Sequence, residues 1–281
     1  MTENTQSVWT SGLVNVDWLS SELGNPELII LDGTWSVTQG DEGLPAGIIP
    51  TALKFDLCHL KAESPLGEAY PPSDILLTMI QSLGITESDS VVIYDRHGFF
   101  SAPRIWWVLK SLGHERVAVL QGGLPAWISA GHDTMKTHAL PKPQSRYTAS
   151  PSLVAGATLQ SVLTAGEQNI QIVDARSADR FFGRVKEPRP NLKSGHIPNS
   201  ISLPLKSLQD EFGDVLTGKQ LVSVFISAGI DMSRPIITTC GSGVTAAALA
   251  LLFHSVGKMD VAVYSGSWSE YGATDNPVET E

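Results

Sequence analysis

Four short segments of this 281-residue chain occur twice, in the same order and at nearly constant separation. Leu28-Ile29-Ile30-Leu31-Asp32 resembles Ile170-Gln171-Ile172-Val173-Asp174, and Gly47-Ile48-Ile49-Pro50 resembles Gly195-His196-Ile197-Pro198. Val91-Val92-Ile93-Tyr94-Asp95 resembles Pro235-Ile236-Ile237-Thr238-Thr239, and Val117-Ala118-Val119-Leu120-Gln121-Gly122 resembles Val261-Ala262-Val263-Tyr264-Ser265-Gly266. The separations are 142, 148, 144 and 144 residues. Solenoid units span only roughly 20–50 residues, so this period means two copies of one domain. Length agrees, since roughly 150 residues per domain gives about two domains.

The boundary falls where composition changes. Residues 138–152 hold Pro141, Pro143 and Pro151 among polar residues and show neither a helical nor a strand period. Proline restricts itself and its predecessor to extended backbone. The sequence therefore predicts a first domain over 1–137, a linker over 138–152 and a second domain over 153–281. In each copy, short β-branched runs alternate with amphipathic stretches, which predicts α/β units on a mostly parallel sheet flanked by helices. One helix is clear in both copies: Ile105, Val108, Leu109 and Leu112 share a face, and so do Leu249, Leu252, Phe253 and Val256.

Each of these helices follows an apolar strand after a short loop, the position where open α/β sheets bind ligands. The copies differ there. The second reads Cys240-Gly241-Ser242-Gly243-Val244-Thr245, and the first Asp95-Arg96-His97-Gly98-Phe99-Phe100. One copy carries a thiol where its sister carries a carboxylate, which predicts one catalytic domain and one degenerate scaffold. At a helix N-terminus the unpaired first-turn N–H groups and the dipole favour a negative sulfur. Gly241 and Gly243 let successive N–H groups turn inward as an anion nest, with Ser242 and Thr245 as added hydroxyl donors. Such a loop can hold a thiolate or a persulfide without a metal. Asp95 is expected to be structural or electrostatic.

Composition removes other classes. Lys plus Arg is 19 and Asp plus Glu is 29, a net charge of −10, which lacks the basic footprint of a nucleic-acid or anionic-membrane binder. The two cysteines, Cys58 and Cys240, form neither a disulfide framework nor a zinc-ligand spacing. Cys58 lacks the loop context of Cys240 and is expected to be structural. The first twelve residues show no secretory pattern, and no apolar run reaches the ~20 residues of a membrane helix. A cytoplasmic protein is expected.

With these residues in view, the chain resembles two-domain rhodanese-type sulfurtransferases over nearly its whole length. The supporting segments are Cys240-Gly241-Ser242-Gly243-Val244-Thr245, Ser101-Ala102-Pro103-Arg104, Trp106-Trp107, Gly195-His196-Ile197-Pro198 and Gly266-Ser267-Trp268-Ser269-Glu270. The resemblance implies two tandem rhodanese-like domains. The uncharged Gly241 and Ser242 resemble the loop of members that use 3-mercaptopyruvate; thiosulfate-preferring members carry basic residues there.

The implied reaction moves sulfur from 3-mercaptopyruvate through a Cys240 persulfide to a thiol or cyanide and releases pyruvate. The alternatives are a thiosulfate sulfurtransferase and a non-catalytic persulfide carrier. A phosphatase of related fold needs Cys-x5-Arg, and the sixth position after Cys240 is Ala246. The resemblance assigns Cys240 and Ser242 to catalysis. Arg180 and Arg189, together with the loop residues Gly241, Gly243, Val244 and Thr245, are assigned to substrate binding. A guanidinium fork suits a carboxylate better than a lysine point charge. Arg184 and Lys186 lie between the two arginines. Trp35 stands where the family places a Trp near the active site, and an inter-domain packing role fits it equally. No cofactor or metal is implied. A thiol acceptor such as thioredoxin and a monomeric state are. One departure is clear: Ile48 occupies the place of a relay histidine in animal mercaptopyruvate enzymes, so Ser242 reads as a hydrogen-bond donor instead. Asp41 or Glu42 could stand near the site, and His196 is expected to orient a turn.

Overall fold

The computed structural model describes residues 5–35, 43–60, 73–211 and 213–280. Asp41 and Glu42 lie outside the described residues. The chain divides into two compact units, the first ending at Leu153 and the second beginning at Val154, with Gly213–Val215 grouped with the first.

The first unit contains α1 (Thr5–Ser11), β1 (Leu13–Val14), α2 (Val16–Glu22), β2 (Leu28–Asp32), β3 (Leu53–Lys54), α3 (Ser73–Ser82), β4 (Ser90–Tyr94), α4 (Ala102–Ser111), β5 (Val117–Leu120) and α5 (Gly123–Ser129). The second contains β6 (Ala155–Ala157), α6 (Leu159–Leu163), β7 (Gln171–Asp174), α7 (Ala178–Phe181), β8 (Ile201–Ser202), α8 (Gly218–Ser227), β9 (Ile236–Thr239), α9 (Val244–Ser255), β10 (Val261–Tyr264) and α10 (Ser267–Tyr271). The strand orders are β1-β5-β4-β2-β3 and β6-β10-β9-β7-β8, parallel throughout. The same order appears in both units, as a duplication requires. A parallel sheet buries both faces, which explains the unbroken apolar runs: every residue of β4 is buried.

The two helices read from the sequence are α4 and α9. Neither is amphipathic in the simple sense expected. In α4 every residue from Ala102 to Lys110 is buried. In α9 the residues Ala246 to Phe253 are buried, so the alanines and Leu251 off the predicted face are inside as well. The outer face is covered by a second layer, since Phe253 of α9 stacks on Phe225 of α8 with ring centroids 4.2 Å apart. The core thus runs past the central helix rather than stopping at it.

Residues 138–152 run extended across the first unit and are fastened to it. The Ala139 N–H donates to Ala52 O (2.9 Å), that of Ser145 to Gln81 O (3.0 Å) and that of Ser150 to Leu112 O (3.0 Å). His138 Nε2 lies 2.9 Å from the buried Asp32 carboxylate, which also takes both Thr34 N–H and O–H. Burial raises the Asp32 pKa, but Lys54, Thr34 and His138 outweigh it and hold the group below its ordinary value.

Within the same unit Lys110 is buried on α4, its Nζ donating to Glu115 O at 2.7 Å. Burial pulls its pKa down to about 8, only partly opposed by Glu115. The folded chain therefore releases this proton near pH 8, whereas the unfolded chain keeps it to about 10.5. Stability should rise across that window, by about 3 kcal/mol from this group. Lys110→Met should lose this slope; denaturant midpoints for both chains at pH 7, 8, 9 and 10 measure it. Parallel profiles would contradict the assignment.

Candidate active site

Cys240 follows the last residue of β9 and precedes the N-terminus of α9. It is 2% exposed. The Gly243 N–H donates to its Sγ at 3.1 Å, which delivers the helix-terminal donor that the sequence pattern predicts. Gly243 is in the left-handed region, φ 82°, and a Cβ there would stand 2.5 Å from Ser265 O. Only glycine fits both demands.

The loop is held from α10. The Cys240 N–H donates to Ser267 Oγ (3.1 Å), and the Trp268 N–H donates to Cys240 O (2.9 Å). Gly241 O accepts from the Ser269 N–H at 2.9 Å and its hydroxyl at 2.7 Å. Ser267 Oγ lies 3.9 Å from Cys240 Sγ, and Ser267 itself has φ 50°. Ser267 and Ser269 were not singled out as site residues, although both lie in a segment that carries the resemblance. Their signal is positional. At a separation of 144, Ser267 stands where the first copy has Gly123, also at positive φ, 54°.

Arg180, on α7, reaches the loop. A Cβ on Gly241 would lie 3.0 Å from Arg180 Nη2, so the guanidinium rests against the loop backbone. Glu187 fixes it there, with Oε2 2.5 Å from Nη2 and Oε1 3.2 Å from Nε. Glu187 also takes Arg176 Nη1 at 3.0 Å, and Arg176 binds Asp174 at the end of β7 through Nε (2.9 Å) and Nη2 (2.7 Å). The Arg176 guanidinium stacks 4.1 Å from the Trp268 ring. Burial pulls its pKa down, but Asp174 and Glu187 outweigh this and leave it above its ordinary value.

The chain Asp174–Arg176–Glu187–Arg180 is charge-balanced, and its exposed end is Arg180, at 24% against 1% for Arg176. An added carboxylate meets Arg180 first. Asp174, Arg176 and Glu187 do not stand out as site residues in the sequence, because their spacing follows no helix or strand period.

The remaining expected residues fall as follows. Ser242 is buried, and its hydroxyl has no hydrogen bond among the described residues. Val244 is the first residue of α9 and Thr245 the second, half-buried. Arg189 is half-buried in the turn after Glu187. Its assignment to a substrate carboxylate rests on the resemblance. Trp35 donates its N–H to Ser101 Oγ (3.2 Å), and its ring stacks on Phe100, 6.2 Å between centroids. Ile48 is core, in a two-way bridge with Met135. His196 lies flat on Phe181 (3.8 Å), with Nδ1 2.9 Å from Phe181 O. That contact steadies the helix carrying Arg180. Cys58 is exposed on a short 3-10 turn, so its thiol fills no core as expected of a structural cysteine.

The sister loop folds around a built-in anion. Asp95 is fully buried, and its Oδ2 accepts the N–H groups of Phe100 (2.8 Å), Ser101 (2.8 Å) and Ala102 (2.9 Å). Its Oδ1 takes that of His97 at 2.9 Å. Where one copy points a single N–H at a sulfur, the other spends four on a carboxylate.

The parallel sheet and the loop before its central helix occur twice, and only the second of these loops carries a cysteine. The chain belongs to the rhodanese-like family, whose domain model matches residues 15–130 and 159–274. Among named relatives it is similar to the 3-mercaptopyruvate sulfurtransferase of Escherichia coli K12, at 36% identity over 96% of this chain and 98% of that protein. The mitochondrial thiosulfate/3-mercaptopyruvate sulfurtransferase 1 of Arabidopsis thaliana is 35% identical over 99% of this chain and 80% of that protein. The crystal structure of the E. coli 3-mercaptopyruvate enzyme superposes with a TM-score of 0.80 at 33% identity, covering 92% of this chain and 98% of that one.

Proposed function

We propose that this chain is a sulfurtransferase that takes sulfur from 3-mercaptopyruvate on Cys240 and passes it to a thiol or to cyanide. The observation that carries this reading is the Cys240 sulfur at the N-terminus of α9, receiving the Gly243 N–H, with the Arg180 guanidinium against the same uncharged loop. The domain limits 1–137, 138–152 and 153–281, the first domain being catalytically degenerate, belong to the same proposal. So do a monomeric state, a thioredoxin-like acceptor and a cytoplasmic setting. No helix among the described residues is long and apolar enough to cross a membrane.

In the first half-reaction the Cys240 thiolate attacks the substrate sulfur. An S–S bond forms, the substrate C–S bond breaks, and its electron pair becomes the enolate of pyruvate, which takes a proton. Arg180 and Arg189 hold the carboxylate and carbonyl and stabilise the developing charge. In the second half an acceptor thiolate attacks the outer sulfur and Cys240 leaves as thiolate. The cycle is ping-pong covalent catalysis and needs neither metal nor redox cofactor.

Thiosulfate is the second reading, because the Arabidopsis relative's name carries both donors. A dianion gains most from basic loop residues, and Gly241 and Ser242 supply none. Comparing kcat/KM on the two donors tests this, with 3-mercaptopyruvate expected to be preferred. A preference for thiosulfate would overturn the substrate assignment. In the same assay Arg180→Ala should lower kcat/KM for 3-mercaptopyruvate by about 100-fold, the scale of a lost charge-assisted pair. An unchanged value would remove Arg180 from the site.

A further inference from the structure

The sulfur chemistry leaves unused a cavity of about 480 Å³ in the second unit. Val162, Ala165, Ile172, Ile197, Pro198 and Ile201 supply its apolar lining. It opens near the amino ends of β7 and β9, since Gln171 begins β7 and Arg234 lies two residues before β9. Cys240 follows the opposite end of β9, about 13 Å away at a strand's rise per residue.

Two polar side chains along this cavity are spent internally. The Gln171 side chain donates to Asp231 O and accepts the Asp231 N–H, both at 2.8 Å. Tyr271 donates its hydroxyl to Pro277 O at 2.8 Å. Arg234 is spent only in part. Its Nε donates to Asn169 O at 3.2 Å, which fixes the plane of the guanidinium. Its Nη groups make no hydrogen bond or ion pair within the described residues. Asp231, exposed on the same turn, takes the Ser233 N–H (2.9 Å) and hydroxyl (2.6 Å) and forms no ion pair with Arg234.

At a separation of 144 residues the first copy has the larger Trp127 in place of Tyr271.

We propose that this cavity binds an apolar monocarboxylate, its carboxylate on Arg234 and its aliphatic body along the Ile and Val lining. The volume is that of a small-molecule site, and the guanidinium fork matches a carboxylate in shape and charge. Glu167 is the only acid on the lining, and it disfavours a second anionic group. Dicarboxylates and phosphate esters therefore fit less well. The proposal is independent of the sulfur chemistry.

Calorimetric titration of the full chain with octanoate tests it, with 1-octanol as the neutral counterpart and octanedioate as the dianion. Octanoate should bind saturably at one site, at least tenfold tighter than octanol or octanedioate. Arg234→Gln should abolish the preference over octanol, while Arg234→Lys keeps most of it. Circular dichroism of each variant confirms that it is folded. Absence of saturable binding, equal octanoate affinity in wild type and Arg234→Gln, or equal affinity for octanedioate would overturn the proposal.

Discussion

Replacing Cys240 with serine is expected to lower sulfur transfer by about four orders of magnitude or more while leaving the fold intact. The size follows from covalent chemistry. A hydroxyl is a poor nucleophile toward sulfur and cannot store the transferred atom as a persulfide. The fold should survive because the sulfur's local role is small: the Gly243 N–H and, at 3.9 Å, the Ser267 hydroxyl point at it, and an Oγ can accept in its place. The backbone links from Cys240 to Ser267 and Trp268 do not involve the thiol. Cyanide-dependent turnover and a thermal melt, measured together, check both halves. Cys58 is exposed and plays no part in this scheme, so Cys58→Ser should retain full activity. Activity surviving in Cys240→Ser and lost in Cys58→Ser would reverse the assignment.

Replacing Asp95 with alanine is expected to be the most damaging single change to the first unit, costing about 3–5 kcal/mol. Four backbone N–H groups end on this one fully buried carboxylate. Removing it leaves donors at a helix N-terminus without an acceptor, and the loop has no other anion. Asp95→Asn keeps one carbonyl oxygen and should cost about half as much. Urea denaturation followed by tryptophan fluorescence reads the difference, since Trp106, Trp107 and Trp127 are all buried in this unit. A midpoint unchanged in both variants would mean that the carboxylate does not organise the loop. The same strand–loop–helix geometry that can hold a reactive sulfur is closed in the sister by an internal charge.

Much of this was legible in the sequence because it is periodic or local. Strand patterning and the repeat placed β2, β4 and β5 against β7, β9 and β10, and the shared strand order follows. The place of the Cys240 loop between a strand and a helix was legible because Gly241 and Gly243 follow an apolar run and precede a helical period. The ion-pair chain was not. Arg176 and Glu187 are eleven residues apart in an irregular stretch, and only the fold brings them onto Arg180. The role of α10 was hidden for a related reason. Ser267 works through a left-handed backbone, which its residue type does not announce. The proline-rich stretch was read as extended, but its fastening to the first unit depends on partners such as Asp32 and Gln81, distant in sequence.

The persulfide is read directly from the intact mass of the chain after exposure to 3-mercaptopyruvate and then to an acceptor. A gain of one sulfur, about 32 Da, is expected, located on Cys240 by peptide mapping. Pyruvate should appear in equal amount, and the added mass should disappear when cyanide or a dithiol is supplied. A chain that gains no sulfur, that gains it on Cys58, or that keeps it in the presence of acceptor while pyruvate release stops after one equivalent would contradict sulfur transfer through Cys240.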